Sequence, residues 1–346
     1  MKKYSVISLF TGCGGLDLGF TGGFSYLGKI YPKNNFEIIW ANDIDKASCE
    51  TFRKNFGHDI VCGDISEIIN NKHSFSLFDK PLPDNADVVI GGFPCQDFSH
   101  AGKRKGFNSS RGLLYQSMIQ VVKQTKPLVF IAENVRGLMT MNNGEALKTI
   151  IREFSAAGYN VGYKLLIAAN YSVPQTRERI IIVGTRKDSL YSFQYPHPLL
   201  EKQDWITLKK AIGDLENLKE GEAPNHYWSK AKMFPGTQGN TYVSQDKPGP
   251  TMRTEHHGNI EWHWNKKRRL SAREAARIQS FPDNFIFYPS TSSAYKQIGN
   301  AVPPVMGWYI AKEVSRLLET NISIISNNQN SIFNEGFASN PLNHVL

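Results

Sequence analysis

Cysteine is scarce in this chain of 346 residues: Cys13, Cys49, Cys62 and Cys95 are the only four, and no two form a Cys-x-x-Cys pair. That spacing points away from a zinc site and from a disulfide framework, and toward reduced thiols. Long hydrophobic runs are missing too. No stretch approaches the roughly 18 to 20 apolar residues of a membrane span, and Met1-Lys2-Lys3-Tyr4 leads into a strand pattern rather than the apolar core of a signal peptide. A soluble, cytoplasmic protein without membrane or metal is expected. Acidic residues are in deficit, 31 Asp and Glu against 40 Lys and Arg, and the formal charge of +9 suits a polyanionic partner without identifying one. No internal repeat is present.

What is there is an alternation. Val6 to Phe10, Glu37 to Ala41, Val88 to Ile90, Leu128 to Ala132 and Ile180 to Val183 read as strands, and segments such as Asp45 to Phe56 and Leu113 to Gln124 between them have helical spacing. Such alternation predicts an α/β fold with a doubly wound, mainly parallel sheet over residues 1–186. Residues 187–268 are rich in Pro, Gly, His, Trp and Lys, with turn marks at Pro196-His197-Pro198, Phe234-Pro235-Gly236 and Lys247-Pro248-Gly249-Pro250, and read as a smaller loop-rich domain. Regular structure returns over 269–319. Ser271-Ala272-Arg273-Glu274 is a capping box opening a helix, and Pro303 starts another that places Ile310, Val314, Leu317 and Leu318 on one face. Residues 320–346 hold seven Asn and little periodicity, so a poorly ordered tail is expected.

The first strand leads into Ser8-Leu9-Phe10-Thr11-Gly12-Cys13-Gly14-Gly15-Leu16-Asp17-Leu18-Gly19, a glycine-rich turn that brings backbone close to a ligand. A dinucleotide fingerprint begun at Gly12 needs glycine where Asp17 stands, and the turn has no lysine of a phosphate-cradling loop. Asp43 follows the second predicted strand, where a carboxylate can take the hydroxyls of a ribose. Asp64 follows the third, where it can accept from an adenine amino group. A nucleoside cofactor without phosphates fits, although either Asp can equally be a helix cap.

Gly92-Phe93-Pro94-Cys95-Gln96-Asp97-Phe98-Ser99 ends the run Asp87 to Gly92, which places Cys95 beyond the carboxyl end of a buried strand, where ligands gather in open α/β sheets. A buried, inert thiol is the plainer reading of a Pro-Cys pair after a strand. Ser99 to Gly112 carries Lys103, Arg104, Lys105 and Arg111 with no acidic residue, a segment suited to phosphates. Glu133-Asn134-Val135 leaves the next strand at the same sheet edge. Gln175-Thr176-Arg177-Glu178-Arg179 precedes the strand Ile180 to Val183, with Arg177 and Arg179 on one side of an edge strand, exposed to solvent or turned to a bound base.

Taken in order, Phe-x-Gly-x-Gly-Gly, the acidic ribose ligand, Gly63-Asp64, Pro94-Cys95-Gln96, Glu133-Asn134-Val135, Gln175-x-Arg177-x-Arg179, a variable region, Arg268-Arg269-Leu270 to Arg277, and Gly299-Asn300-Ala301-Val302 closely resemble the DNA cytosine-5 methyltransferases, over about residues 4–318. The compact form is similar to the modification enzymes of bacterial restriction systems. One departure is Ile44, where members often carry an aromatic residue against the adenine.

The resemblance implies S-adenosylmethionine as cofactor, lined by Phe10, Thr11, Gly12, Gly14, Asp43, Ile44, Asp64, Ile65, Pro94, Leu114, Asn300 and Val302. It implies a catalytic set of Cys95, Glu133, Asn134, Arg177 and Arg179. In that chemistry the Cys95 thiolate adds to cytosine C6, a protonated Glu133 serves N3, and the two arginines stabilise the carbonyl and the thiolate side. Double-stranded DNA is the implied partner, with the target base flipped out and Gln96, Ser99, Lys103, Lys105 and Arg111 closing over it. A monomer is expected. Met252 to Arg273, with six Lys or Arg against two acidic residues and with His256, His257 and His263 beside Trp262 and Trp264, reads as a groove-facing surface of a target-recognition domain, and Arg253 is its best base-reading candidate, with phosphate contact or plain exposure the plainer reading. One branch of the family acts on tRNA and carries Cys-Phe-Thr in the variable region. No cysteine follows Cys95 here. A non-catalytic DNA-binding relative is the remaining alternative, and none of Cys95, Glu133 or the arginines is lost.

Overall fold

The computed structural model describes residues 2–70, 80–94, 114–189, 192–234, 236–237, 239–253 and 260–336, with side chains to residue 320. Strands β1 (Tyr4–Leu9), β4 (Phe36–Asp43), β5 (Val61–Cys62), β6 (Val88–Gly91), β7 (Val129–Val135), β8 (Tyr159–Ile167) and β9 (Glu178–Arg186) form a seven-stranded sheet, and β2 (Phe24–Tyr26) pairs with β3 (Lys29–Tyr31) in a separate hairpin. The order across the sheet is β5-β4-β1-β6-β7-β9-β8. The first five are parallel, and β9 runs antiparallel to both of its neighbours. The doubly wound, mainly parallel sheet is therefore present, but the strand carrying Arg179 is interior, not at the edge. The edge belongs to β8, whose exposed Tyr163 and Lys164 hide it from a reading based on apolar runs.

Both faces of the sheet are covered, which is why its central strands are apolar at every position rather than alternating with polar residues. Val6, Val88, Ile90 and Ile131 face helices α1 (Gly15–Thr21), α2 (Lys46–Phe56) and α9 (Pro304–Gly336). Ile7, Leu9, Val89, Phe130 and Ala132 face α3 (Ile65–Asn70), α4 (Leu114–Thr125) and α5 (Glu145–Ala156). Ile310, Val314, Leu317 and Leu318 of α9 are buried together, as their spacing predicts. Helix α9 continues to Gly336, beyond Thr320, where the sequence reading ends regular structure.

A second core lies between α6 (Leu208–Ile212), α7 (Ala272–Ile278) and α8 (Thr291–Asn300), joined by Val243, Met252, Ile260 and Phe281. The loop-rich segment thus shares its core with the helices that follow residue 268. The capping box at Ser271 and Glu274 is formed.

The arginines of this region depart from their expected place. Arg268, Arg269 and Arg273 are buried, not turned to a groove. Arg269 donates to the carbonyls of Ala231, Lys232, Gly239 and Ile260 and to Asn240 Oδ1. Arg273 donates to those of Pro224, Pro282 and Phe285, and Arg268 forms a two-point pair with Glu274, both contacts 2.7 Å. Loops without ladder partners leave carbonyls to satisfy, and the five donors of a guanidinium meet several at once. His263 is likewise fully buried. Of the six cations expected on that surface, Arg253, Lys266 and Lys267 are exposed. His256 and His257 lie outside the described residues.

Candidate active site

The carboxyl ends of β1, β4, β5, β6 and β7 lie along one edge of the sheet, and Phe10, Asp43, Asp64, Glu133 and Asn134 stand at or beside those ends. Phe10 leaves β1 with φ 52°, a left-handed conformation rare for an aromatic residue. Thr11 N donates to Asn42 O at 3.0 Å, and Gly12 N to Asp43 Oδ2 at 2.7 Å. Gly12 has φ 58°, and a Cβ there would meet nothing within 4 Å, so the turn opens onto free space at this point. Gly14 and Gly15 are packing positions instead, pressed against the Phe56 ring and the Val302 carbonyl.

Asp43 ends β4 with Oδ1 on the Asp45 amide and Oδ2 on that of Gly12; burial pushes its carboxyl up, and those two amides oppose the shift. Ile44 beside it is 68% exposed, an apolar face with open access. Asp64 serves as the cap of α3, accepting from Ser66 N at 2.8 Å through one oxygen. Phe10, Ile65 and Leu114 share one apolar cluster under this edge. Val302 is buried, while Asn300 and Pro94 are exposed. An apolar face, two carboxylates and an open turn fit a nucleoside, and none of these residues offers a cation for a pyrophosphate.

Glu133, near the end of β7, is 8% exposed, and its Oε1 lies 2.7 Å from Arg179 Nε in an ion pair across the antiparallel β7–β9 ladder. The N–H is not aligned on that oxygen, which has no hydrogen bond among the described residues. Oε2 sits over Gly92: a Cβ there would stand 2.9 Å from it. Asn134, 2% exposed, donates from Nδ2 to Phe93 O at 3.0 Å and accepts the Val135 amide on Oδ1. Its part is therefore to hold the Gly92-Phe93-Pro94 turn against β7. Cys95, Gln96, Ser99, Lys103, Lys105 and Arg111 lie outside the described residues. Pro94, the last described residue before Cys95, follows that clamped turn.

The close approach at Gly92 makes a prediction. Gly92→Ala should displace the Glu133 carboxylate, cutting the single-turnover rate about 10- to 100-fold with a melting temperature within a few degrees of wild type. Rapid-quench kinetics beside a thermal melt check it, and an unchanged rate would remove the constraint.

Arg177 precedes β9, fully buried, with Nη1 on Met252 O at 3.1 Å and Nη2 on Gly299 O at 2.9 Å. It bolts the sheet to the segments that carry Arg253 and Asn300, instead of sharing with Arg179 a solvent-exposed or base-facing side. Burial holds its basicity well below the usual arginine range, deepened by Arg179 and relieved by Glu133. Gln175, for which no role could be read from the sequence, is fully buried and takes the Met252 amide at 2.9 Å while donating to Ile278 O and Gln279. The motif Gln175-Thr176-Arg177 is thus a junction between the two cores. Gln175 and Arg177, two long polar residues alternating around Thr176 just ahead of an apolar strand, were the available signal.

The sequence profile of the C-5 cytosine-specific DNA methylases matches residues 4–241 and 225–316. The chain belongs to this family. This C-5 cytosine-specific DNA methylase is 36% identical over 350 residues to the type II methyltransferase M.NgoFVII of Neisseria gonorrhoeae, covering 92% of this chain and 88% of that one. It is 37% identical over 347 residues to M.FnuDI of Fusobacterium nucleatum, covering 90% and 94%. Among solved structures, the S. pombe Dnmt2 methyltransferase superimposes with a TM-score of 0.63 at 17% identity, over 92% of this chain and 99% of that one. At that identity the likeness speaks for the fold: a methyltransferase sheet with helices on both faces. Among the described residues no helix is long and apolar enough to cross a membrane.

Proposed function

We propose that this enzyme methylates C5 of a flipped-out cytosine within a specific duplex DNA sequence, with S-adenosylmethionine as donor and Cys95 as nucleophile. The observation that carries the reading is the Glu133–Arg179 pair at 2.7 Å, set over Gly92 at the turn that Asn134 clamps immediately before Pro94-Cys95. The donor supplies a methyl group on a positively charged sulfur. Asp43, Ile44 and Asp64 bind its nucleoside, and Gly12 gives its other end room.

Cytosine C5 is a poor nucleophile, and the protein's task is to change that. The Cys95 sulfur bonds to C6, the C5–C6 electron pair is drawn toward N3, and C5 becomes nucleophilic enough to take the methyl group. Glu133 takes up a proton from solvent as the base enters and shares it with N3, while Arg179 beside it offsets the charge that the carboxyl regains as the proton moves. After transfer the C5 proton is lost to a base and the C6–S bond breaks, returning the thiolate. Arg177 positions the junction, with Nη1 on the Met252 carbonyl and Nη2 on that of Gly299, while its buried Nε has no hydrogen bond among the described residues.

Residues 1–186 and 269–319 form the catalytic part in this reading and 187–268 the target-recognition part. The protein works as a monomer on double-stranded DNA in the cytoplasm, shielding it from a nuclease of the same specificity. Gln96, Ser99, Lys103, Lys105 and Arg111 hold the flipped nucleotide and its phosphates. Transfer of labelled methyl to duplex DNA, with bisulfite sequencing of the product, tests the function: 5-methylcytosine at one sequence context is expected, and label on RNA alone would move the substrate to the tRNA branch.

Arg253 is exposed and follows Met252, whose amide and carbonyl are both held, by Gln175 and Arg177. A base reader needs such a fixed base. Arg253→Ala should cost about 1–3 kcal/mol on the cognate site and relax preference at one base pair. Lys105→Ala should instead weaken all duplexes alike and flatten the salt dependence by nearly one unit. Competition binding at several salt concentrations separates the two, and a uniform loss for Arg253→Ala would assign it to phosphate.

A further inference from the structure

Asp17, the residue that breaks the dinucleotide fingerprint, has no cationic partner among the described residues. It sits in the first turn of α1, fully buried, and neither Oδ1 nor Oδ2 has a hydrogen bond among the described residues. Buried acceptors are satisfied almost everywhere in folded proteins. The groups that act on it are the Ser8 hydroxyl of β1, its own backbone amide and the Asp43 carboxylate at the end of β4; it acts in turn on the Cys13 thiol, and no Lys or Arg is among them. Burial pushes the Asp17 carboxyl up to about 7, opposed by Ser8 and its own amide, with Asp43 adding to the rise. Ser8 Oγ in turn accepts from Thr11 Oγ1 at 2.8 Å, and Thr11 adjoins Gly12, where the turn is open.

Once ionised, a buried carboxyl with no cation beside it, linked through Ser8 and Thr11 to an open glycine turn, repels phosphate and attracts a cation. We propose that Asp17 is the anionic counterpart of the cofactor's positive end, acting through the Ser8 and Thr11 hydroxyls to position the sulfonium- and ammonium-bearing part of S-adenosylmethionine at the Gly12 turn. The inference rests on the cofactor reading above. It makes Asp17 a positioning residue, and it explains why this turn tolerates an acid where a pyrophosphate site needs glycine.

The sign of the pH dependence follows. A bound cation favours the ionised carboxyl, so binding lowers the Asp17 pKa from about 7 and releases a proton below that pH. Affinity for S-adenosylmethionine should rise about tenfold from pH 6 to pH 8 in the wild type, beyond any change in Asp17→Asn. Titration of Asp43 and of the ligand's own ammonium is common to both proteins and cancels in the comparison.

Isothermal calorimetry of both proteins with S-adenosylmethionine and with S-adenosylhomocysteine, which keeps the ammonium and lacks the sulfonium, reads this out without turnover. Equal pH dependence for the two ligands assigns Asp17 to the ammonium, and a shallower one for the second assigns it to the sulfonium. Identical pH dependence in wild type and Asp17→Asn overturns the inference while leaving the cofactor reading intact; absence of binding at every pH overturns both. Should Asp17→Asn fold poorly, proton release by the wild type at pH 6.5, measured in buffers of different ionisation enthalpy, decides: more than about half a proton is expected, and less than about a tenth overturns the proposal.

Discussion

Cys95→Ser abolishes methyl transfer and leaves S-adenosylmethionine binding within about twofold of wild type, because a serine hydroxyl near neutral pH is a far weaker nucleophile than a thiolate. Without sulfur at C6, C5 gains no electron density and the methyl group has no acceptor. The residues assigned to the cofactor, Asp43, Ile44 and Gly12 among them, sit at the ends of β1 and β4. They should be indifferent to a change of one atom at residue 95, four positions beyond β6 in sequence. Calorimetry for binding and tritium transfer for activity separate the two effects. A serine variant that turns over near the wild-type rate would remove Cys95 from the chemistry.

Glu133→Gln slows the chemical step by about 10²-fold or more. Glutamine keeps the length of the side chain and still donates one hydrogen bond, but it cannot share a proton with N3. The substitution also leaves Arg179 facing a neutral amide in place of a carboxylate 2.7 Å away, at side-chain exposures of 11% for both residues. A stability loss of about 1–3 kcal/mol accompanies the change, the penalty for a largely desolvated charge losing its partner. Single-turnover rates on saturating DNA distinguish chemistry from folding. A rate within tenfold of wild type would contradict the proton-sharing role.

The parts of the fold legible in the sequence are those where one physical signal dominates. Val88-Val89-Ile90 and Val129 to Ala132 are apolar without interruption because helices cover both faces of the sheet, and the capping box at Ser271 announces α7 by itself. β8 was not legible, since an edge strand mixes exposed Tyr163 and Lys164 with buried Leu166. The direction of β9 was not legible either, because antiparallel pairing leaves no mark on an apolar run.

At the site, residue types could be read but not their partners. Glu133 and Asp43 were identifiable as carboxylates at strand ends, yet only folding shows that one meets Arg179 and the other holds the Gly12 amide. Arginine misled most. Arg268, Arg269 and Arg273 look like a basic surface in composition, and they are the buried carbonyl-binding posts of a loop-rich unit. A guanidinium serves a phosphate or a stranded carbonyl with the same donors, so sequence alone does not tell the two apart.

The central claim is the covalent bond between Cys95 and cytosine C6. Incubating the enzyme with S-adenosylmethionine and a duplex carrying 5-fluorocytosine at the methylated position tests it directly, since fluorine cannot leave C5 as a proton does and the C6–S bond has no route to break. The account predicts a one-to-one protein–DNA complex that survives boiling in detergent, maps by peptide mass to Cys95, and is absent for Cys95→Ser. Methylation of ordinary cytosine by an enzyme that leaves no such complex on the fluorinated duplex, or an adduct mapped to another residue, would contradict it.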